Sequence, residues 1–160
     1  MTASVGIAVL RRRELHEPLD DRRARRMLAD GTWVRVAPGA FVMGADWRQL
    51  APVAQHCLRV QEVMARVRAP ALVSHFAAAA VWGIDVLGAW PTRVEVTVDR
   101  ATGGRSGGAI TRRALGRDGR MSVPFGRHRI TTAAQTALDI ARLLPFLRAV
   151  TAIDQALWTG

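Results

Sequence analysis

Residues 11–31 have the sequence RRRELHEPLDDRRARRMLADG, and this stretch decides the fold that we predict. Their pattern predicts a short helix, a turn at Pro18-Leu19 and a second helix. Asp20 is placed to cap the second helix, because its carboxylate can accept hydrogen bonds from the free backbone N–H groups there. Asp30-Gly31 predicts the end of that helix, since glycine readily takes the left-handed conformation that closes one.

The second helix of this stretch has one small apolar face. Ala24, Met27 and Leu28 recur at intervals of three and four, so they share a side. The remaining faces carry Arg22, Arg23, Arg25 and Arg26. A helix of this kind suits the major groove of DNA. The alternative is a solvated basic helix, but the single sign of the charge argues against it, because opposite charges on a solvated helix face usually pair.

The composition favours a polyanionic partner. The 160 residues carry a net charge of +10, and all 23 lysine-plus-arginine positions are arginine. Nucleic acid is the simplest partner, and an anionic membrane surface is the weaker alternative. A hydrophobic fraction of 49% is enough for a core, in one domain or in a small domain followed by a medium one.

The sequence also predicts a cytoplasmic location. Cys57 is the one cysteine, so no internal disulfide can form. The apolar N-terminal residues precede their charges, whereas a signal peptide has the reverse order. No apolar run reaches the roughly 18–20 residues of a membrane span. We therefore expect no membrane partner.

A β-hairpin is predicted directly after the basic helix. Residues 33–43 form two short apolar strands joined at Pro38-Gly39, a pair that suits a type II turn. Because that turn matches strand twist poorly, we expect a loop wider than two residues. The simple register places Val34 opposite Met43 and turns Arg35 to the other side. A helix–turn–helix followed by a hairpin is a winged helix–turn–helix, in which Arg35 reaches a phosphate or the minor groove.

Beyond the hairpin, the pattern alternates strands and helices. A long linking helix is predicted at 47–68, with one buried apolar stripe. Further strands are predicted at 71–73, 93–98, 109–113 and 127–131, and further helices at 75–82, 133–143 and 145–158; a weakly signalled helix at 3–10 precedes them all. We therefore predict an α+β fold, with a winged helix–turn–helix domain over 1–45 and a small α/β domain of mixed strands and helices over 46–160.

Four segments, taken in order, resemble one protein family. They are 31–42 (GTWVRVAPGAFV), 71–83 (ALVSHFAAAAVWG), 94–98 (VEVTV) and 130–142 (ITTAAQTALDIAR). Together with the preceding arginine-rich helix they are similar to the AbiEi-type antitoxins of type IV, abortive-infection toxin–antitoxin systems. The resemblance covers nearly the whole chain. The sequence departs from relatives at two places. Asp20-Asp21 makes the start of the second helix more acidic than in relatives, and Gln135 stands where relatives usually have arginine.

The resemblance implies a transcriptional regulator that binds double-stranded repeats in its own promoter. It also implies a second domain that counteracts a nucleotidyltransferase-type toxin. On this hypothesis the arginines of the second helix enter the major groove, and Arg11, Arg12 and Arg13 meet phosphates. Many relatives carry a further C-terminal domain similar to very-short-patch-repair endonucleases; this sequence ends before such a domain, so we expect either a fragment of such a protein or a short version without the nuclease. The alternatives are the DNA-targeting portion of such an endonuclease and a pure protein-interaction module.

Catalytic patterns are scarce. The absence of lysine excludes a P-loop and removes the lysine that usually accompanies nuclease carboxylates. Asp85, Glu95 and Thr97 imitate an acidic strand motif, but Glu95 is better explained as a paired strand residue. The four histidines and the cysteine lack the spacing of a zinc site. We expect a non-enzymatic protein with no catalytic residue, no metal site and no cofactor.

A second basic segment lies in the C-terminal half. It contains Arg112, Arg113, Arg117, Arg120, Arg127 and Arg129. The plain interpretation is a solvated sheet edge. The alternative is a second DNA contact or a surface for an acidic toxin, for which the candidates are Arg112, Arg113, Arg127 and Arg129.

Overall fold

A computed structural model describes residues 6–14, 21–99, 107–114, 116 and 118–159. The turn predicted at Pro18-Leu19, the cap predicted at Asp20 and Arg117 lie outside the described residues. The elements run in the order β1 (Leu10–Arg11), a 3₁₀ turn (Arg12–Glu14), α1 (Asp21–Ala29), β2 (Trp33–Ala37), β3 (Ala40–Met43), α2 (Gly44–Gln49), α3 (Pro52–Met64), β4 (Leu72–Val73), α4 (His75–Trp82), β5 (Val94–Val98), β6 (Ile110–Ala114), β7 (Ser122–Phe125), β8 (His128–Thr131), α5 (Ala133–Ala141) and α6 (Phe146–Thr159). The predicted α+β class is confirmed.

The hairpin β2–β3 forms as predicted, but its register differs. The two strands meet at Pro38-Gly39, with Gly39 at φ 68°, so the turn is no wider than two residues. An irregularity between Arg35 and Ala37 then places Arg35 opposite Phe41 and Val34 opposite Val42. The predicted pairing of Val34 with Met43 is wrong, because the bulge adds one residue to β2 where the turn and the strand twist disagree.

The N-terminal residues add a strand to this hairpin. Leu10 and Arg11 pair with Phe41 and Ala40, which gives an antiparallel sheet in the order β1-β3-β2. The helix predicted at 3–10 is therefore wrong over its described part, because residues 6–9 are not helical and Leu10 is in a strand. Backbone pairing with the open edge of β3 outweighs the weak local helix preference of a segment that contains glycine.

The single helix predicted at 47–68 is also wrong, because the chain breaks it in two. Leu50 and Ala51 are extended, with ψ angles of 137° and 150°, between α2 and α3. Pro52 causes the break, since it lacks an N–H and disfavours helical backbone at the preceding residue. Proline suits the first turn of a new helix, and α3 begins there. The Gln55 amide spans the break by donating to the carbonyls of Trp47 and Leu50 at 2.9 and 3.3 Å.

The second sheet has five strands in the order β6-β5-β4-β8-β7. β4 and β5 are antiparallel, as are β7 and β8, whereas β4–β8 and β5–β6 are parallel. The sequence prediction missed β7, whose Pro124 argues against a strand. Proline is tolerated on an edge strand, where its missing N–H interrupts no inner ladder, and β7 is an edge.

One hydrophobic core joins the hairpin to the second sheet. Val36 and Val42 of the hairpin belong to the same buried cluster as Val60 of α3 and Val73 and Val96 of the second sheet. The cluster therefore crosses the predicted domain boundary between residues 45 and 46, and a second cluster lies among α4, α5 and α6. Within the part of the chain that is described, no helix has the length and apolarity needed to cross a bilayer.

Candidate nucleic-acid interface

Helix α1 presents its arginines to solvent. Ala24 is buried at 7% exposure, and Met27 and Leu28 are half-buried, so the predicted apolar face does point inward. The exposed positions include Arg22, Arg23, Arg25 and Arg26, which we call the α1 arginines. The Arg25 side chain lies back along the helix, where its Nε donates to the Asp21 carbonyl at 3.3 Å. The helical periodicity therefore decides which side chains meet solvent.

Hydrogen bonds and one close backbone contact hold the end of α1 against the hairpin. The Asp30 carboxylate accepts the Thr32 N–H at 2.9 Å, and Thr32 hydrogen bonds lower the pKa of Asp30. Gly44 donates its N–H to the Thr32 carbonyl at 2.7 Å. A Cβ added to Gly44 would lie 2.0 Å from the Gly31 carbonyl oxygen, so only glycine fits there. The end of α1 is thus held directly on the strand-to-helix junction after β3.

Arg11 has a structural contact that the sequence did not reveal. Its guanidinium lies 2.6 Å (Nη2 to Oε1) and 3.1 Å (Nε to Oε2) from the buried Glu62 carboxylate of α3. Arg66 adds a second ion pair to Glu62 at 3.0 Å, and Glu14 lies 3.2 Å from Arg11. These carboxylates raise the pKa of Arg11. Arg11 therefore ties β1 to α3, a role that the sequence did not predict, and its phosphate contact stays a prediction.

Arg12 and Arg13 keep the exposure that a phosphate contact requires. Arg12 pairs with Asp21 of α1 at 2.9 Å, and both side chains are more than half exposed. Arg13 lies 3.6 Å from Glu14 on the surface. Such exposed pairs contribute little stability and open easily, because solvent competes for both charges. Either guanidinium can therefore exchange its carboxylate for a phosphate.

Arg35 is exposed on the hairpin, as predicted. Its guanidinium lies 5.8 Å from the centre of the Phe41 ring, and Trp33 stacks on the same ring at 5.5 Å. The bulge in β2 is what brings Arg35 opposite Phe41. Arg35 also lines a cleft with Arg59 of α3, a residue that the sequence prediction missed.

The second basic segment does not form one cluster. Arg112 and Arg113 lie on the edge strand β6, whereas Arg127 and Arg129 lie at and beside the turn between β7 and β8. β5 and β4 stand between β6 and β8, which places about 14 Å between the two groups at the usual strand spacing.

Arg113 and Arg129 make polar contacts within the sheet. Arg113 donates to the buried Glu95 carboxylate, with an Nε–Oε1 distance of 2.9 Å, and Arg129 Nε donates to Ser122 Oγ at 2.8 Å. The sheet therefore places these arginines in two separate groups, and their contact with DNA or a toxin stays a prediction.

A buried polar cluster lies under the start of α4. Ser74 Oγ lies 2.9 Å from His75 Nδ1 and accepts a hydrogen bond from Thr97 Oγ1 at 2.9 Å. Glu95 accepts the N–H of Phe76 at 3.0 Å. His75 has an unusual φ of 54°, and burial lowers its pKa to about 4. The strand residues Glu95 and Thr97, which imitate an acidic motif in sequence, thus hold the helix start in place.

The cluster contains residue types found in nucleophilic sites, but a substrate has no access to their side chains. Ser74 and Thr97 are almost wholly buried, and the Glu95 charge is matched by Arg113. Among the described residues, no group of three or more histidine, cysteine, aspartate or glutamate side chains is arranged to hold a metal ion. The arrangement therefore fixes the helix rather than presenting a reactive group.

Comparison of the chain with protein-family models, with curated proteins and with solved structures finds no match.

Proposed function

We propose that this protein is a sequence-specific, DNA-binding transcriptional regulator that inserts α1 into the major groove. The observation that carries the proposal is the arrangement of the four α1 arginines, all exposed, around a helix whose buried face is Ala24. Arginine is the side chain best suited to guanine, because its two N–H groups meet the O6 and N7 acceptors together. The net charge of +10 supports the same partner.

The dimensions of α1 suit this role. Its nine residues make a helix about 13 Å long at a rise of about 1.5 Å per residue. A B-form major groove is about 12 Å wide, which matches the roughly 10–12 Å diameter of an α-helix with its side chains. Arg12 and Arg13 lie just before α1 in the chain and Arg35 lies just after it, where they supply phosphate contacts on either side.

The resemblance described above extends the proposal to an antitoxin. In that role the protein represses its own promoter in the cytoplasm and counteracts a nucleotidyltransferase-type toxin through the region beyond the hairpin. Its action is binding rather than catalysis, and it uses no metal or cofactor. The resemblance alone supports the toxin as a partner, whereas the α1 arginines support DNA independently of it.

The test of this function compares two duplexes that differ only in sequence. One contains the region upstream of the gene, and the other contains the same bases in scrambled order. We expect fluorescence anisotropy to show about a thousandfold tighter binding to the promoter duplex at physiological salt, the lower end of specific recognition. Equal affinity for the two duplexes would reduce the protein to a non-specific DNA binder, and binding to neither would refute the proposal.

The antitoxin role has its own test. A candidate toxin gene next to this one is expressed alone and together with this chain, and growth is measured. Rescue of growth by Arg22→Ala plus Arg26→Ala protein would show that neutralisation is independent of the DNA surface, as the two-region arrangement predicts. Failure of wild-type protein to rescue growth would remove the antitoxin role and leave the regulator.

A further inference from the structure

A cleft of about 460 Å³ lies where the hairpin meets α3 and the second sheet. Arg35 and Pro38 line it from the hairpin, and Arg59 lines it from α3. Thr92 and Gly108 close it from the ends of β5 and β6. We call this feature the hairpin cleft. Its volume lies within the range of about 300–1,000 Å³ that is common for small-molecule sites.

The described residues do not compensate the positive charge of the hairpin cleft. Its charged lining residues are Arg35 and Arg59. Two other arginines that contact the interior have a carboxylate: Glu62 for Arg11 and Asp139, at 2.5 Å, for Arg120. Among the residues that the structure describes, neither cleft arginine has a carboxylate within ion-pair distance. The described part of the chain therefore supplies the cleft with no anion to pair with its two guanidiniums.

Arg59 is held in position by an aromatic ring. Its guanidinium carbon lies 4.6 Å from the centre of the Trp47 ring, and Trp47 is itself buried at 8% exposure. A guanidinium that stacks on a tryptophan keeps its edge N–H groups free to donate in the ring plane. Burial lowers the pKa of Arg59, which shows that the charge is partly removed from water. A desolvated cation without a partner is costly, and a bound anion offsets that cost.

The lining favours a phosphate group over a simple halide or a carboxylate. Two guanidiniums and the Thr92 hydroxyl offer donors from three separate elements. A tetrahedral phosphate has oxygens that can accept from several directions at once, and arginine binds such oxygens in a bidentate manner. We propose that the hairpin cleft is a phosphate-binding site, in which Arg59 and Arg35 hold either a backbone phosphate of bound DNA or the phosphate of a free nucleotide.

The two sources of phosphate differ in what they would do. A DNA phosphate would extend the interface from α1 across the hairpin to α3; this source rests on the proposed function. A free nucleotide would bind whether or not the protein recognises DNA. Because Arg35 belongs to both the cleft and the predicted wing contact, an occupied cleft would withdraw one DNA contact.

The test uses the full chain and two variants, Arg59→Met and Arg35→Gln. Methionine keeps an apolar side chain on Trp47 while it removes the charge, and Arg35 is exposed, so both variants should fold. Arg48→Gln, an exposed arginine of α2 that does not line the cleft, is the matched control. Circular dichroism and the unfolding midpoint verify the fold of each protein before binding is measured.

The first arm measures pyrophosphate and thymidine monophosphate binding by isothermal titration calorimetry. If a free nucleotide is the source, wild type and Arg48→Gln bind saturably, and each cleft variant loses about tenfold or more in affinity, the value of one charge-assisted hydrogen bond. The second arm measures duplex affinity against salt. If DNA is the source, each cleft variant lowers the log–log slope by about 0.9 and Arg48→Gln does not.

One result overturns the proposal: neither cleft variant differs from Arg48→Gln in either arm. Failure of the proposed function is separate and recognisable. If Arg22→Ala plus Arg26→Ala leaves promoter binding intact, the groove assignment of α1 fails, while nucleotide binding at the hairpin cleft is decided separately by the Arg59 and Arg35 variants.

Discussion

Replacement of Glu62 is the sharpest test of whether Arg11 holds β1 to α3. Glu62→Gln keeps the shape of the side chain but removes the charge that faces Arg11 and Arg66 at 2.6 and 3.0 Å. The carboxylate is buried, whereas both guanidiniums keep about 30% exposure and can partly re-solvate. We therefore expect a loss of about 2 kcal/mol, below the roughly 3–5 kcal/mol for breaking a fully buried pair.

The pH dependence gives a second check on the same variant. Burial by itself would raise the pKa of Glu62, but hydrogen bonds from Arg11 and Arg66 lower it below the ordinary value. The stabilisation is then complete above about pH 4.3, the unfolded pKa, and is lost as the pH falls through the lower folded pKa. The difference between wild type and Glu62→Gln should shrink in that acid range.

Urea unfolding at neutral and acid pH measures both effects. The control is Glu14→Gln, which removes the exposed partner of Arg11 and should change stability by less than about 0.5 kcal/mol. If Glu62→Gln is as stable as Glu14→Gln at neutral pH, the ion pairs do not hold β1 to α3.

Two further changes test the framework around the site. Gly44→Ala should destabilise the protein by about 1–3 kcal/mol, because the added Cβ would lie 2.0 Å from the Gly31 carbonyl oxygen. The control is Gly6→Ala, where a Cβ meets nothing within 4 Å. Equal unfolding midpoints of the two variants would contradict the close approach. His56, whose pKa is lowered to about 4 by burial and by Arg59, makes wild type lose about 1.4 kcal/mol per pH unit as the pH falls from about 6.5, the unfolded pKa, to about 4. His56→Phe should remove that share of the slope while the share of His75 remains, and an unchanged slope would refute the assignment.

The local patterns of the sequence predicted the basic helix and the hairpin well. Ala24 faces inward because helical periodicity is a local property, and Pro38-Gly39 defines a turn through its own backbone preferences. These local patterns did not predict the register of the hairpin, since the bulge between Arg35 and Ala37 arises from strands twisting against each other. Pro52 was enough to predict the break in the long helix, because a proline disfavours helical backbone at the residue before it.

The contacts between distant segments were not predictable from the chain. Arg11 and Glu62 are separated by 51 positions, and nothing in either neighbourhood identifies the other. Arg59 was missed because it lies within the apolar pattern of α3, where an arginine reads as solvated. The proximity of Arg113 and Arg129 in sequence was misleading, since sheet order separates β6 from β8.

The central claim is that the α1 arginines read the major groove, and a salt titration of promoter binding tests it most directly. The compared proteins are wild type, Arg22→Ala plus Arg26→Ala, and a control of equal charge, Arg68→Ala plus Arg142→Ala, at two exposed positions away from α1. We predict that the α1 variant loses about thirtyfold or more in affinity at each salt concentration, since each bidentate base contact contributes about 1–3 kcal/mol. The control should change affinity by less than about threefold, with only a small effect on the slope. If the two double variants bind the promoter with the same affinity and the same salt slope, α1 is a solvated basic helix and the claim is contradicted.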